Sequence, residues 1–565
     1  MTVDGYPVCL VDNTDAIILD SNLVSVDTET TIVDLDRAIP DIICCQIFDG
    51  KTVYIVPRLL VRGLTSILES STLVFCNAKF DVNVLAKVGC ELVHKYDEGT
   101  IKDIQILQLL IDLATIGSAH GFARPSLQTL VRQYEQVLLE KGMERTSFST
   151  VDGLPLSQWP TSFIEYAAKD AIYTRKVYLN QKASIPTETE YSHGIQVAAD
   201  WALDKINKRG IRIDHNKLNE IWQALTEDIN KETAKLVKYD WSPGLKGNRK
   251  ILSQILRSFD IPLTLTATGK VSSKAEDLEN YRDIEFIDSY CRYVELFKAR
   301  TFLKGLDGER AYPKYNLLVN TGRTSCTKPN FQQLPKTHGI RNIFVPDHGC
   351  SFIIADYSTI ELRALGFIVK AYYHRPEIIN LINSGVDLHT YCAKLITGKD
   401  TCSKQDRQMA KAINFGFPGG MGLMSFIDYA KKSYGVDISY EDAKKFKKKW
   451  HDIFPGTREF IEDDYTRCVT STGRVRANAS YCASKNTQFQ GLAADGAKLA
   501  LYYLVKAGYD VVGFVHDEFI IQVATAYAET LRPLIEEKLK DGMQEVMPGV
   551  NIDIDSYITT CYDKT

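Results

Sequence analysis

Five acidic residues stand inside or at the tips of runs that are otherwise built to be buried, and this limits the chain more than anything else in its sequence. SFIIADYS is apolar up to Asp356, GFVHDEFIIQV interrupts two strand-like runs with Asp517 and Glu518, and VSVDTETT carries Asp27 and Glu29. Short runs rich in β-branched residues read as strands. Residues two apart on a strand face the same side, so Asp27 and Glu29 converge. The HDE segment reads as a hairpin turn that sets its acids beside the end of a neighbouring strand. A lone D-x-E is most simply a solvated pair, and a lone HDE a pair of turn acids, so each needs company before it means chemistry.

The 565 residues are 45% hydrophobic and 24% charged, a globular composition long enough for three or four domains. A net charge of −4 does not advertise nucleic-acid binding. A binding channel, however, needs only a local basic stripe. The 13 cysteines form no C-x-x-C pair, which disfavours zinc ribbons and thioredoxin-like sites and suits buried, reduced thiols. The first twenty residues lack a basic n-region, and no apolar stretch is long enough to span a bilayer. The expectation is a soluble cytoplasmic protein.

Residues 1–185 alternate strand signals (LVSVDTETTIVDL, KTVYIVP) with amphipathic helical ones (SILES, FDVNVLAKVG, IKDIQILQLLIDLA), which predicts an α/β domain. Residues 186–305 are long lysine-rich helical patterns broken by the polar stretch PLTLTATGKVSSKAEDL. Strands return after 306, around FIIADYS and VVGFVHDEFIIQV, with a mostly helical block at 366–480 between them.

Two more segments give Asp27 and Glu29 company. NAKFD puts Asp81 at the start of a helical pattern, and YAAKD puts Tyr166 and Asp170 four apart on one helix face. Four acids on separate elements are costly to gather unless cations neutralise them, and hard divalent cations with oxygen ligands suit that need. VDTET, NAKFD and YAAKD, in this order, resemble the three exonuclease motifs of the proofreading domain of DNA polymerase I-like enzymes. The resemblance covers nearly all of residues 20–180. It implies an RNase H-like fold, with Asp27, Glu29, Asp81 and Asp170 as metal ligands and Tyr166 orienting the attacking water.

Between the later strands, SKQDRQMAKAINFGF opens with a Ser403-x-x-Asp406 capping signature. It then places Arg407, Lys411 and Phe415 within an arc of about 80° on one helix face. Two cations followed by an aromatic suit a triphosphate lying along the helix with a sugar or base beyond it. Together the motifs resemble family A DNA polymerases: DYSTIELRAL motif A, DRQMAKAINFGF motif B, VHDE motif C. TGRTSCTKPNFQQLP, DLHTYCAKL and NTQFQGLAADGAK agree, and YVELFKARTFLKGL is similar to the end of a thumb. The match runs from 290 to 525.

The resemblance implies a multidomain α/β and α+β chain: an RNase H-like 3′–5′ exonuclease (1–185), then a right-hand polymerase with thumb (186–305), palm (306–365 and 481–565) and fingers (366–480). It implies a monomer that takes primer–template DNA and dNTPs, with two Mg2+ per active site and Mn2+ as an alternative ion. Asp356 and Asp517 would hold the polymerase metals, and Glu518 would support them. Arg407, Lys411 and His389 would contact phosphates, with Lys411 also able to protonate pyrophosphate. Phe415 would pack on the incoming sugar, and Glu361 would exclude a 2′-hydroxyl. Arg323, Asn330, Gln332, Asn486 and Gln490 would lie along the primer–template, with His516 by the primer terminus.

Three positions depart from the family pattern. Gly419 stands where a tyrosine usually follows the motif B phenylalanine by four. Thr359 replaces a usual glutamine, and Cys482 a frequent arginine. Pro418, Gly419 and Gly420 should end or loosen the helix. The expectation is a more open template side, or another side chain in the gap. The short segment before the first exonuclease motif leaves no room for a 5′-nuclease domain, a layout resembling a phage replicase. A single-subunit RNA polymerase shares motifs A and B, but Glu361 and the proofreading motifs argue against it. A decayed scaffold, or a nuclease whose second half only grips DNA, would not keep every expected carboxylate and the Arg407–Lys411 pair.

Overall fold

The computed structural model describes residues 1–563 except 33–37, 120–122, 141, 267–268 and 465–467. The end of the TTIVDL run and the middle of the polar stretch after Pro262 lie outside the described residues.

The N-terminal part is built on a seven-stranded mixed sheet. Its order is Thr2–Val3, Tyr6–Leu10, Val53–Pro57, Ile42–Phe48, Leu23–Thr30, Thr72–Phe75, Ile101–Asp103. Ile42–Phe48 runs antiparallel to Leu23–Thr30, whereas Thr72–Phe75 runs parallel to it. The long helix Thr161–Ser184 packs across the central strands, and Val26, Ile47, Val56 and Phe75 are fully buried. The segment IKDIQILQLLIDLA divides in a way its helical periodicity hides. Ile101–Asp103 completes the parallel ladder, and the helix Ile104–Ile116 starts only after it. The Asp103 carboxylate caps that helix by accepting from the Gln105 and Ile106 amides.

Residues 186–305 hold two kinds of element. The helix Thr189–Arg209 is buried between the first sheet and the later part of the chain: Trp201 Nε1 donates to Asn83 Oδ1 (3.1 Å), and Gln196 Nε2 donates to Asp495 Oδ1 (2.9 Å). The helices His215–Val237 and Glu285–Leu303 instead pack against each other as a separate pair.

The second large sheet is antiparallel, in the order Asp510–Val515, Glu518–Ala524, Cys350–Tyr357, Ile554–Thr559. The helices Tyr481–Lys506 and Ala528–Val546 pack against it. The block from Ile360–Tyr373 to Thr457–Glu462 is helical. Among the described residues no helix is long and apolar enough to cross a membrane.

The two sheets belong to bodies joined by backbone. The Ala477 amide donates to Leu113 O (2.9 Å), and Thr189 Oγ1 donates to Gly473 O (3.0 Å). Gly473 has φ +86°, and a Cβ there would lie 1.8 Å from Glu188 O, so only glycine allows this approach. Behind this seam, Arg474 and Asp495 form a fully buried ion pair, and Lys498 donates to Gln196 Oε1 and Gly322 O.

Candidate active sites

The first site sits on the strand Leu23–Thr30. Ligand oxygens of Asp27, Glu29 and Asp170 all lie within 4.8 Å of one another. Gln46 is the residue directly opposite Asp27 in the ladder, so it shares that face; its Nε2 donates to Asp27 Oδ2 (2.9 Å) and Glu29 Oε1 (3.2 Å). Asp81 stands outside this group of three, in the first turn of Ala78–Lys87, and accepts from Thr28 Oγ1 (2.7 Å). Burial first, then the charges of Asp81, Asp170 and Glu29, hold the Asp27 carboxyl well above its usual range. Burial raises Asp81 to about 8 against the opposing Thr28 hydrogen bond. Tyr166 lies one helical turn before Asp170, its ring centroid 6.0 Å from that of Phe148. A groove of about 650 Å³ runs alongside, lined by Asp27, Asn77, Gln105, Leu127, Tyr166 and Asp170.

The second site lies at one end of the antiparallel sheet. Asp356 pairs with Glu518 on one side and Asp555 on the other. His516 and Asp517 form the two-residue turn, with His516 at φ +62°. Burial, then the nearby Asp356 charge, raises Asp517 to about 7. Glu518 is 5% exposed and accepts from Tyr562 Oη (2.5 Å), so its carboxylate is engaged by the C-terminal segment. Burial and Arg323 lower His516 to about 4, and its buried Nδ1 has no partner among the described residues.

The helix Lys404–Gly416 carries the expected capping box, with Arg407, Lys411 and Phe415 half-buried on one face. Arg407 Nε donates to Asp387 Oδ2 (3.0 Å), the carboxylate that caps the helix Leu388–Thr397. His389, on that second helix, lies 5.3 Å centroid to centroid from Phe415. Its tautomer follows from its neighbours. Trp450 Nε1 can only donate, and points at Asn414 Oδ1 (3.0 Å); Asn414 Nδ2 is thereby aimed at His389 Nδ1 (3.1 Å). Burial, aided by Arg407 and Lys411, lowers His389 to about 4, so the ring is neutral near pH 7. A neutral ring accepting at Nδ1 carries its hydrogen on Nε2.

The residues expected along a primer–template fall in three places. Arg323 pairs with Glu361, and Gln490 Nε2 approaches the other Glu361 oxygen at 3.5 Å. Asn330 and Gln332 sit at the turn Phe331–Gln333, where Gln332 Nε2 donates to Thr324 Oγ1. The helix ends at Gly416, followed by the turn Phe417–Gly419, as Pro418 and the glycines predict. The gap at Gly419 is not open: a Cβ there would lie 2.6 Å from Asn486 Oδ1, and one at Gly420 would lie 2.5 Å from the Tyr481 ring. Asn486 and Tyr481 therefore crowd the two glycines, which favours the second of the two expectations, another side chain in the gap.

Sequence reading did not single out Gln46, Asn414, Trp450 or Tyr562. The one available signal was Gln46, a polar residue in the middle of the apolar strand IICCQIF.

Both sets of acids fit hard divalent cations. Each offers only oxygen donors, and each crowds buried carboxylates whose mutual repulsion a cation would relieve.

Comparison with known proteins defines the class. Residues 215–563 match the family model described as DNA polymerase family A, and residues 12–182 match that described as 3′–5′ exonuclease. The chain belongs to DNA polymerase family A and carries a 3′–5′ exonuclease domain. It is 27% identical to DNA polymerase I of Aquifex aeolicus, over 95% of each chain. It is 25% identical to DNA polymerase I of Pseudomonas aeruginosa, covering 94% of this chain and 62% of that one. Its fold is similar to the POL domain of Pol1 from M. smegmatis in complex with DNA primer-template and dNTP, at a TM-score of 0.73, 19% identity and 96% coverage of each chain.

Proposed function

We propose that the chain, as a monomer in the cytoplasm, extends a primer 3′ end with dNTPs at the second site and trims the same end at the first. The observation that carries this reading is the pairing of two separate buried carboxylate sites on two sheets, in a chain that also bears Arg407, Lys411 and Phe415 in line on one helix face. In this reading residues 1–185 are the exonuclease, 186–305 the thumb, 306–365 and 481–565 the palm, and 366–480 the fingers.

Asp27, Glu29, Asp81 and Asp170 would hold two Mg2+ at the first site, and Asp356 and Asp517 two at the second. Such ions, when bound, acidify the attacking hydroxyl or water and stabilise the leaving oxygen. The protein's own groups do the rest. Arg407 forks onto the triphosphate, Lys411 supplies a point charge and a proton for the leaving pyrophosphate, and His389 donates from Nε2. Phe415 supports the sugar, while Glu361, held by Arg323 and Gln490, stands where a 2′-hydroxyl would intrude. Arg323, Asn330, Gln332, Asn486 and Gln490 follow the minor groove, where every base pair offers acceptors in similar places. His516 Nδ1, buried and without a partner among the described residues, is available to the primer terminus. At the first site Tyr166 orients the water, and the 650 Å³ groove takes the single-stranded 3′ end.

Asp517→Ala is expected to lower primer extension by at least about a thousandfold while sparing degradation of single-stranded 3′ ends. Asp81→Ala is expected to do the reverse. Loss of both activities in either folded variant would overturn the two-site assignment.

A further inference from the structure

The helix Tyr440–Ile453 carries a lysine at five of the six positions 444–449, in a chain whose net charge is −4. Ala443 and Trp450 anchor it in the core, fully buried. Lys449 Nζ is used internally, donating to Ile396 O (2.8 Å). Lys444, Lys445 and Lys448 are exposed and Lys447 is half-buried. Nearby cations find acids, as in Lys431–Asp437 and Arg458–Asp452. None of these four lysines has a carboxylate partner among the described residues. At 100° per residue, Lys447, Lys444 and Lys448 occupy a continuous arc of about 100°. Glu441 lies beside this arc, one turn before Lys444 and Lys445, and the face still carries a net positive charge that suits an anionic partner.

The position of the arc says which one. Along the helix Lys404–Gly416, the cations Arg407 and Lys411 precede the aromatic Phe415, so the sequence of groups runs from triphosphate to sugar and base. Past the incoming base comes its partner base, which belongs to the template strand. The next feature in that direction is the turn Phe417–Gly419, closed by Asn486. Lys447 Nζ lies over the Phe417 ring, 6.0 Å from its centroid. The lysine arc therefore begins at the template side of the insertion site and leads away from it.

We propose that Lys447, Lys444 and Lys448 form a track for the phosphates of the unpaired template strand ahead of the insertion site. The proposal rests on the polymerase reading above and adds a binding surface to it. The track is electrostatic and indifferent to sequence, and it lets an acidic protein hold a strand that has not yet been copied.

The test uses the full chain in EDTA, so that neither site turns over. Affinity is measured by fluorescence anisotropy for one duplex with either a minimal 5′ template overhang or an overhang of about ten nucleotides. The unaltered chain is expected to bind the long overhang several-fold more tightly at low salt. Lys444→Glu with Lys448→Glu is expected to abolish that difference. It should flatten the salt slope for the long overhang by about 1.4, at about 0.7 per phosphate contact on a single strand. Lys444→Arg with Lys448→Arg is expected to keep both effects, which separates charge from misfolding. Equal affinity of the unaltered chain for both overhangs would overturn the proposal. So would an equal loss on both in the charge-reversed variant, which would assign the lysines to the duplex or to an acidic protein partner. Failure of the polymerase reading would look different: the unaltered chain would not extend the minimal-overhang primer when Mg2+ is restored.

Discussion

The two carboxylate sites differ in how finished they are. At the exonuclease site Gln46 bridges Asp27 and Glu29, Thr28 holds Asp81, and three acids already stand within 4.8 Å of one another. At the polymerase site several key side chains hold each other: Glu518 is taken by Tyr562, Glu361 by Arg323, and Arg407 by Asp387. The first site is assembled by its own domain, with its acids already held in place by neighbours on the same sheet. The second keeps its charged groups satisfied until DNA and nucleotide offer better partners. A site that cuts any frayed end can be always ready, whereas one that must choose a nucleotide benefits from closing only around the right one.

The largest effect that would break this comparison is at Gln46. Gln46→Leu is expected to cut exonuclease activity by about ten- to a hundredfold, the usual cost of losing a supporting partner, and to leave primer extension unchanged. Unaltered trimming would mean the acids do not need their bridge. Next comes Trp450→Phe, which removes the donor that orients Asn414. The KM for dNTP is expected to rise by about tenfold, with a smaller change in kcat and no change in trimming. An unchanged KM would remove His389 Nε2 from triphosphate recognition.

The smallest effects concern protons. Burial raises Asp81 to about 8 in the folded chain, so between pH 4 and 8 the native state binds more protons than the unfolded one. Stability therefore falls as pH rises through this window when no divalent ion is present. In EDTA, Asp81→Asn is expected to raise the melting temperature of the exonuclease unit by about 2–4 °C at pH 8 and by less at pH 5. Equal shifts at both pH values would show that Asp81 does not titrate there. Tyr562→Phe is expected to change extension at saturating nucleotide only a few-fold while leaving trimming alone.

Local pattern made much of this legible in the sequence. Acids at the tips of buried runs located Asp356 and Asp517, and the four-residue spacing on one helix face located Arg407, Lys411 and Phe415. The Ser403 capping box marked where that helix begins. Long-range pairing was not legible. Nothing near Glu518 announces Tyr562, 44 residues later, and nothing near Arg323 announces Glu361. The break in IKDIQILQLLIDLA was hidden because Ile101 is in phase with the apolar period of the following helix, and only the neighbouring strand Thr72–Phe75 draws Ile101–Asp103 into the sheet.

The seam at Gly473 and Ala477 has a mechanical consequence. A main-chain hydrogen bond from Ala477 to Leu113, together with Tyr502 and Lys506 on the Asp97 carboxylate, ties the trimming body to the copying one and restrains the swing of one toward the other. In the proposed reading, a body held this way leaves the travelling to the mispaired end, which must melt off its template to reach the first site. The decision between erasing and extending is left to the stability of the last few base pairs, so the enzyme's error checking is metered by the DNA.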